Sequence, residues 1–221
     1  MKNRRLFLGG PRFRILLLVA TCALVCGSAH ADGIVSITST VPVNQTTPPP
    51  GSTVGSNFLV NLGLAPGLAF AEQQNVVLTS SLTTDTGTIP AGTLVSSFFV
   101  AFNSSEGESQ TTTITFSSDV LGIVFMDGSS AWAASDFLGL PTLNYQEDPS
   151  VCPACGYETG ETATFSGDQV FLNSSFSVPG DFARIIVAGS ISPVPEPSSL
   201  TLLCLGLAAP LLRRRKKMGF S

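Results

Sequence analysis

Histidine and lysine are missing where proton chemistry would need them. One of the 221 residues is histidine, His30, and between Asp32 and Ser192 there is no lysine and a single arginine, Arg184. A Ser-His-Asp or Cys-His site needs an imidazole to move a proton near neutral pH, and a Ser-Lys dyad needs the amine. This stretch supplies neither. Trp132, Tyr145 and Tyr157 are the only Trp and Tyr residues, a poor stock for the sugar-stacking cleft of a carboxylate-dependent glycosidase. Of five cysteines only Cys152 and Cys155 fall in the same stretch, and two thiolates without histidine fall short of a four-ligand zinc site. Asp85-Thr86-Gly87 matches the triplet of aspartic proteases. However, Thr83-Thr84 precede it and no second copy exists, so it reads as a polar turn before Ile89-Pro90. The expectation is a protein that is not an enzyme.

What is present is sorted by charge. Lys2, Arg4, Arg5, Arg12 and Arg14 crowd one end, and Arg213, Arg214, Arg215, Lys216 and Lys217 crowd the other. All acidic residues but Glu196 lie in 32–192, giving that segment about −13 against −4 for the whole chain. So acidic a body argues against nucleic acid as a partner.

Residues 1–31 read as a secretory signal peptide. The basic start precedes an apolar run, "ILLLVATCALVC" (15–26), and Ala29-His30-Ala31 supplies the small-x-small cleavage pattern, so the mature chain begins at Asp32. Asn3-Arg4-Arg5-Leu6-Phe7-Leu8 also resembles a twin-arginine signal, and either export route remains open at this point. Cleavage removes His30, Cys22 and Cys26.

Residues 193–221 read as a tail with its own logic. Residues 198–212 are uncharged. As a helix rising about 1.5 Å per residue they span about 22 Å, short of the ~30 Å hydrocarbon core, so this is a marginal transmembrane helix. The basic cluster Arg213 to Lys217 resists translocation, which leaves the acidic body outside. The stretch "VPEPSSLTLLCLGLAAPLLRRRKK" resembles the PEP-CTERM sorting signal of Gram-negative bacteria: a Pro195-Glu196-Pro197 triplet, a short helix and a terminal basic cluster, in that order. Pro210, late in the helix, departs mildly from the pattern. The resemblance implies a partner, a membrane transpeptidase of the exosortase type that acts near the triplet. It also implies a setting at the cell surface or in a polysaccharide-rich biofilm matrix. Tails of this kind also go under the label of ice-binding proteins, but the tail itself brings no activity.

The body, 32–192, is long enough for one domain with a real core and has an all-β texture. Thr111 to Phe116 alternate, placing Thr112, Ile114 and Phe116 on one face and Thr111, Thr113 and Thr115 on the other. Residues 93–102, 120–126 and 183–189 are short β-branched or aromatic runs between turn residues. Residues 169–178 put Val170, Leu172, Phe176 and Val178 on one side. The expected fold is a single β-sandwich of about eight strands in two sheets. A first strand runs near 33–40, a Pro-rich loop covers 41–57, and one helix covers 129–139 with Ser130 as N-cap and Gly139 as its stop. "IPAGTLVSSFFVAF", "TTTITFSSDVLGIVF", "ASDFLGLPTLNY" and "SVPGDFARIIVAG" resemble an ectodomain that recurs among PEP-CTERM surface proteins. That resemblance implies a sandwich and carries no catalytic residues.

Two features of the body invite a binding reading. Cys152-Pro153-Ala154-Cys155 has thioredoxin-like spacing, but its acidic neighbours and all-β setting favour a disulfide formed after export over redox chemistry. The close pairs Glu106/Glu108, Glu147/Asp148 and Glu158/Glu161 are candidates for a structural Ca²⁺, without the spacing of an EF-hand loop. A threonine row at 111, 113 and 115 reads as one solvated strand face, since ice binding needs an array over many strands. Taken together, the sequence reads as an exported protein with a structural or adhesive role. The alternatives are a Ca²⁺- or glycan-binding module, then an ice-binding protein or a carboxylate-dependent hydrolase.

Overall fold

The computed structural model describes residues 32–146, Cys152 and 155–190. The signal-peptide residues Ala29 and Ala31, the pair Glu147/Asp148 and the whole of the tail lie outside these residues. No described helix is long and apolar enough to cross a membrane.

The described residues form fourteen strands, most of them short. β1 (Ile34–Ser39), β9 (Glu108–Phe116), β13 (Gln169–Phe176) and β12 (Thr162–Ser166) form an antiparallel sheet in the order β1-β9-β13-β12. A second sheet runs β10 (Val120–Val124), β14 (Asp181–Ala188), β8 (Leu94–Phe102), β4 (Gly67–Ala71) and β2 (Val43–Gln45), with β5 (Val76–Val77) also paired to β8. β3 (Thr53–Val54) pairs with β11 (Asn144–Tyr145), and β6 (Leu82–Thr84) forms a hairpin with β7 (Gly87–Ile89).

The all-β sandwich is as the sequence predicts, but it has three layers. Between the two large sheets lie Phe98, Val100 and Phe102 of β8, Ile114 and Phe116 of β9, Val170, Leu172 and Phe176 of β13, and Ala183, Ile185 and Val187 of β14. The opposite face of the larger sheet is covered as well. Val95, Phe99 and Ala101 of β8 and Phe182 and Ile186 of β14 pack under a layer made of α1 (Phe58–Leu62), α2 (Ala131–Ser135), the β6–β7 hairpin and their loops. This layer explains why β8 is buried on both faces while β9 alternates. β8 also carries two buried serines, Ser97 on the cap-facing side and Ser96 on the other. Ser96 and Ser97 are fully enclosed, and each donates its hydroxyl to a carboxylate, Ser96 to Asp32 and Ser97 to Glu72, both at 2.6 Å.

Several local expectations need correction. The Pro-rich stretch 41–57 carries β2 and β3, because Val43 and Val54 have sheet edges to join. The predicted helix at 129–139 breaks into α2 and a 3-10 turn (Asp136–Leu138), and the Ser130 side chain makes no cap bond. Val178 lies past the end of β13 and is 38% exposed, so it does not share the inward face of Val170. α1 has no periodic pattern to announce it. It forms because Phe58 and Leu59 fill the third layer, and Gly63, at φ 66°, closes it with an N–H to the Leu59 and Val60 carbonyls.

Candidate functional site

Pro195, Glu196 and Pro197, with the basic cluster Arg213, Arg214, Arg215, Lys216 and Lys217, belong to the tail outside the described residues. Among the described residues, three charged sites stand out, each built by a different part of the fold.

The first joins the ends of the body. Asp32 precedes β1, and Ser190 follows β14. The Asp32 carboxylate accepts the Ser190 N–H at 2.9 Å, the Ser96 hydroxyl at 2.6 Å and the Ser118 hydroxyl at 3.0 Å. Burial pushes this carboxyl upward, but the hydrogen bonds from Ser96, Ser190 and Ser118 outweigh it and hold the group below its ordinary value.

The second lies under the cap layer. Arg184 points from β14 away from the inter-sheet core and is fully buried. Its Nε donates to Glu72 Oε2 at 2.9 Å, its Nη2 to Glu72 Oε1 at 3.3 Å and its Nη1 to the Ser135 hydroxyl at 2.7 Å, with Asp136 at 3.5 Å. The guanidinium also lies 5.2 to 5.8 Å from the rings of Tyr145, Trp132 and Phe99. Beside this pair the Tyr145 phenol is pushed upward, by burial first and then by the Glu72 charge. Every element that holds Arg184 also holds the cap, so this is a structural clasp.

The third place is an acidic cluster at one end of the sandwich. Glu158 and Glu161 bracket a turn before β12, and Asp181 opens β14 after Pro179-Gly180. Their carboxylate oxygens lie within 4.8 Å of one another. Sequence reasoning identified Glu158/Glu161 as a pair but missed Asp181, which has no acidic neighbour in the chain. Among the described residues no third ligand joins Glu106 and Glu108. Glu108 instead accepts the Ser104 hydroxyl at 3.3 Å. The burial of Asp181 pushes its carboxyl up to about 7 with help from Glu161 and Glu158, although Ser174 pulls the other way. Glu158 rises to about 6 through burial, the hydrogen bond and charge of Glu161, and Asp127.

The outer face of the four-stranded sheet corrects the reading of a single threonine row. Register places Ser36, Thr115, Gln169 and Ser166 side by side, then Thr38, Thr113, Phe171 and Thr164, then Thr111, Asn173 and Thr162. The face is uncharged and rich in hydroxyls, and at its middle stands Phe171, 41% exposed. Trp132 and Tyr157, by contrast, are buried.

Asp85 of the Asp-Thr-Gly triplet sits in the β6–β7 turn. Its carboxylate accepts the Phe125 and Met126 N–H groups at 2.7 and 2.9 Å and the Ser129 hydroxyl. Thr86 accepts the Ile123 N–H at 2.9 Å. The triplet therefore holds the edge of β10. Cys152 and Cys155 lie with their Cα atoms 5.4 Å apart, and both are buried against the cap layer.

Residues 193–216 match the PEP-CTERM protein-sorting motif. The matched stretch takes in Pro195-Glu196-Pro197 and the basic cluster as far as Lys216. No curated protein and no solved structure matches the chain significantly. A tail of this kind marks an exported protein that transits the membrane and is sorted at its C-terminus by an exosortase, itself a membrane protein.

Proposed function

We propose that this chain, with the PEP-CTERM motif at its end, is a non-enzymatic protein of the cell surface or extracellular matrix of a Gram-negative bacterium. Its tail is removed or exchanged near Pro195-Glu196-Pro197, and its β-sandwich serves a structural or adhesive role. The sorting motif is the observation that carries this reading. The body supports it through what it offers outward: an uncharged sheet face of Ser, Thr, Asn and Gln around one exposed ring, Phe171. Hydroxyls and amides exchange hydrogen bonds with neutral sugars at little desolvation cost, and a ring face suits the apolar side of a pyranose. On this reading the face contacts extracellular polysaccharide, and the acidic character lies elsewhere on the body.

Replacing Pro195, Glu196 and Pro197 together by alanine in the native host tests the sorting step. The protein should then accumulate in the membrane fraction instead of the surface and medium. Unchanged distribution would remove the basis of the proposal.

A further inference from the structure

The geometry points to a divalent-cation site, best suited to Ca²⁺, formed by Glu158, Glu161 and Asp181 at the end of the sandwich. The inference concerns the body alone and does not depend on how the tail is processed.

The site is built from fixed parts. Glu158-Thr159-Gly160-Glu161 form a tight turn in which the Glu161 N–H donates to the Glu158 carbonyl at 3.2 Å. Gly160, at φ 103°, occupies the third position, where a positive φ favours glycine. The Glu161 carboxylate is held from two sides. It accepts the Glu158 N–H at 2.8 Å and the Ser175 N–H of β13 at 2.6 Å. Two backbone donors fix it and aim it at the gap between β13 and β14. Asp181 enters that gap from β14.

The buried oxygen of Asp181 is the telling observation. Asp181 is 3% exposed, and its Oδ2 has no hydrogen-bond partner. A buried carboxylate oxygen without a donor is costly, and native folds supply one or bind something there. No protein cation is at hand. Arg184 is the only basic side chain among the described residues, and it is bound to Glu72 under the cap layer, on the other face of the larger sheet. The groups that do face the cluster add negative charge or polarity: Asp127 beside Glu158, and the Tyr157 phenol and Ser174 beside Asp181.

The choice of cation follows from the donors. All three ligands are hard carboxylate oxygens, with no thiolate or imidazole to favour zinc. Ca²⁺ binds oxygens at about 2.4 Å, so two ligands on opposite sides of the ion stand about 4.8 Å apart, and the cluster fits within that limit. Glu158 is exposed and borders a surface depression lined by Phe125, Met126, Asp127 and Tyr157. The ion therefore has a path from solvent, and water can complete its shell. Extracellular Ca²⁺ modules bind in the range of about 0.1–1 mM, the range the test should cover.

The test uses the exported protein from its native host, stripped with a chelator and titrated with CaCl₂ at neutral pH by calorimetry and thermal melting. Saturating Ca²⁺ should raise Tm by about 3–6 °C. Glu158→Gln, an exposed substitution with little bearing on folding, should weaken binding at least tenfold. Asp181→Asn should abolish the shift while the apo protein melts no lower than wild type, because its buried charge is gone. Either no Ca²⁺-dependent shift, or a shift kept in both variants, would overturn the site.

Discussion

Asp32 and Ser190, 158 positions apart in sequence, are joined by a 2.9 Å hydrogen bond from the Ser190 backbone to the Asp32 carboxylate. The two ends of the body are thus fastened to each other, with Ser96 of the central strand β8 as a third party. Because hydrogen bonds hold this carboxyl below its ordinary value, its contribution is present at neutral pH and is lost as pH falls through the folded-state value. Asp32→Ala should cost about 1.5–3 kcal/mol at pH 7, as expected for hydrogen bonds to a charged group. Denaturant titrations should show the wild-type advantage shrinking below about pH 4.

The Arg184–Glu72 clasp predicts an asymmetry between single and double substitutions. Arg184→Ala leaves the Glu72 carboxylate buried beside Ser97 and should cost about 3–5 kcal/mol. Replacing both residues by methionine should recover most of that loss, since an apolar pair of similar volume suits the aromatic surroundings of Phe99 and Trp132. Urea unfolding of the wild type, the single variant and the double variant decides it.

The acidic cluster predicts the opposite pH trend from Asp32. Asp181 and Glu158 are raised to about 7 and about 6, so the fold favours their neutral forms. Their penalty grows as pH climbs from the unfolded values near 4 and is complete once pH passes the folded ones. Without divalent cations, Tm should therefore fall between about pH 4 and pH 7. Asp181→Asn should flatten that slope, and melting curves in chelator read it directly.

Phe171 predicts a separation of binding from folding. With its ring on the solvent face of β13, Phe171→Ala should change stability by less than about 1 kcal/mol. Retention on the host's extracellular polysaccharide should fall several-fold. Equal retention of variant and wild type in a pull-down would assign adhesion to another surface.

Much of this was legible in the chain. The threonine–isoleucine alternation of β9 gave both faces of the outer sheet, and the charge blocks with Pro195-Glu196-Pro197 gave the tail, because each is a local pattern. The cap layer was not legible. Phe58 and Leu59 sit in a five-residue helix too short to show a period, and the doubly buried β8 reads like any apolar strand. Asp181 was missed for a related reason. Its partners Glu158 and Glu161 lie across a hairpin, and nothing adjacent to it in sequence hints at them. Threonine rows on separate strands likewise become an array only once the register of β1, β9, β13 and β12 is known.

Export followed by processing at the tail is the central claim, and intact mass spectrometry of the protein recovered from its native host, cells and medium separately, tests it most directly. The account predicts a species that begins at Asp32 and ends near Pro195, Glu196 or Pro197, found at the surface or in the medium. A membrane-bound species that still carries residues 198–221 as its only form would contradict it.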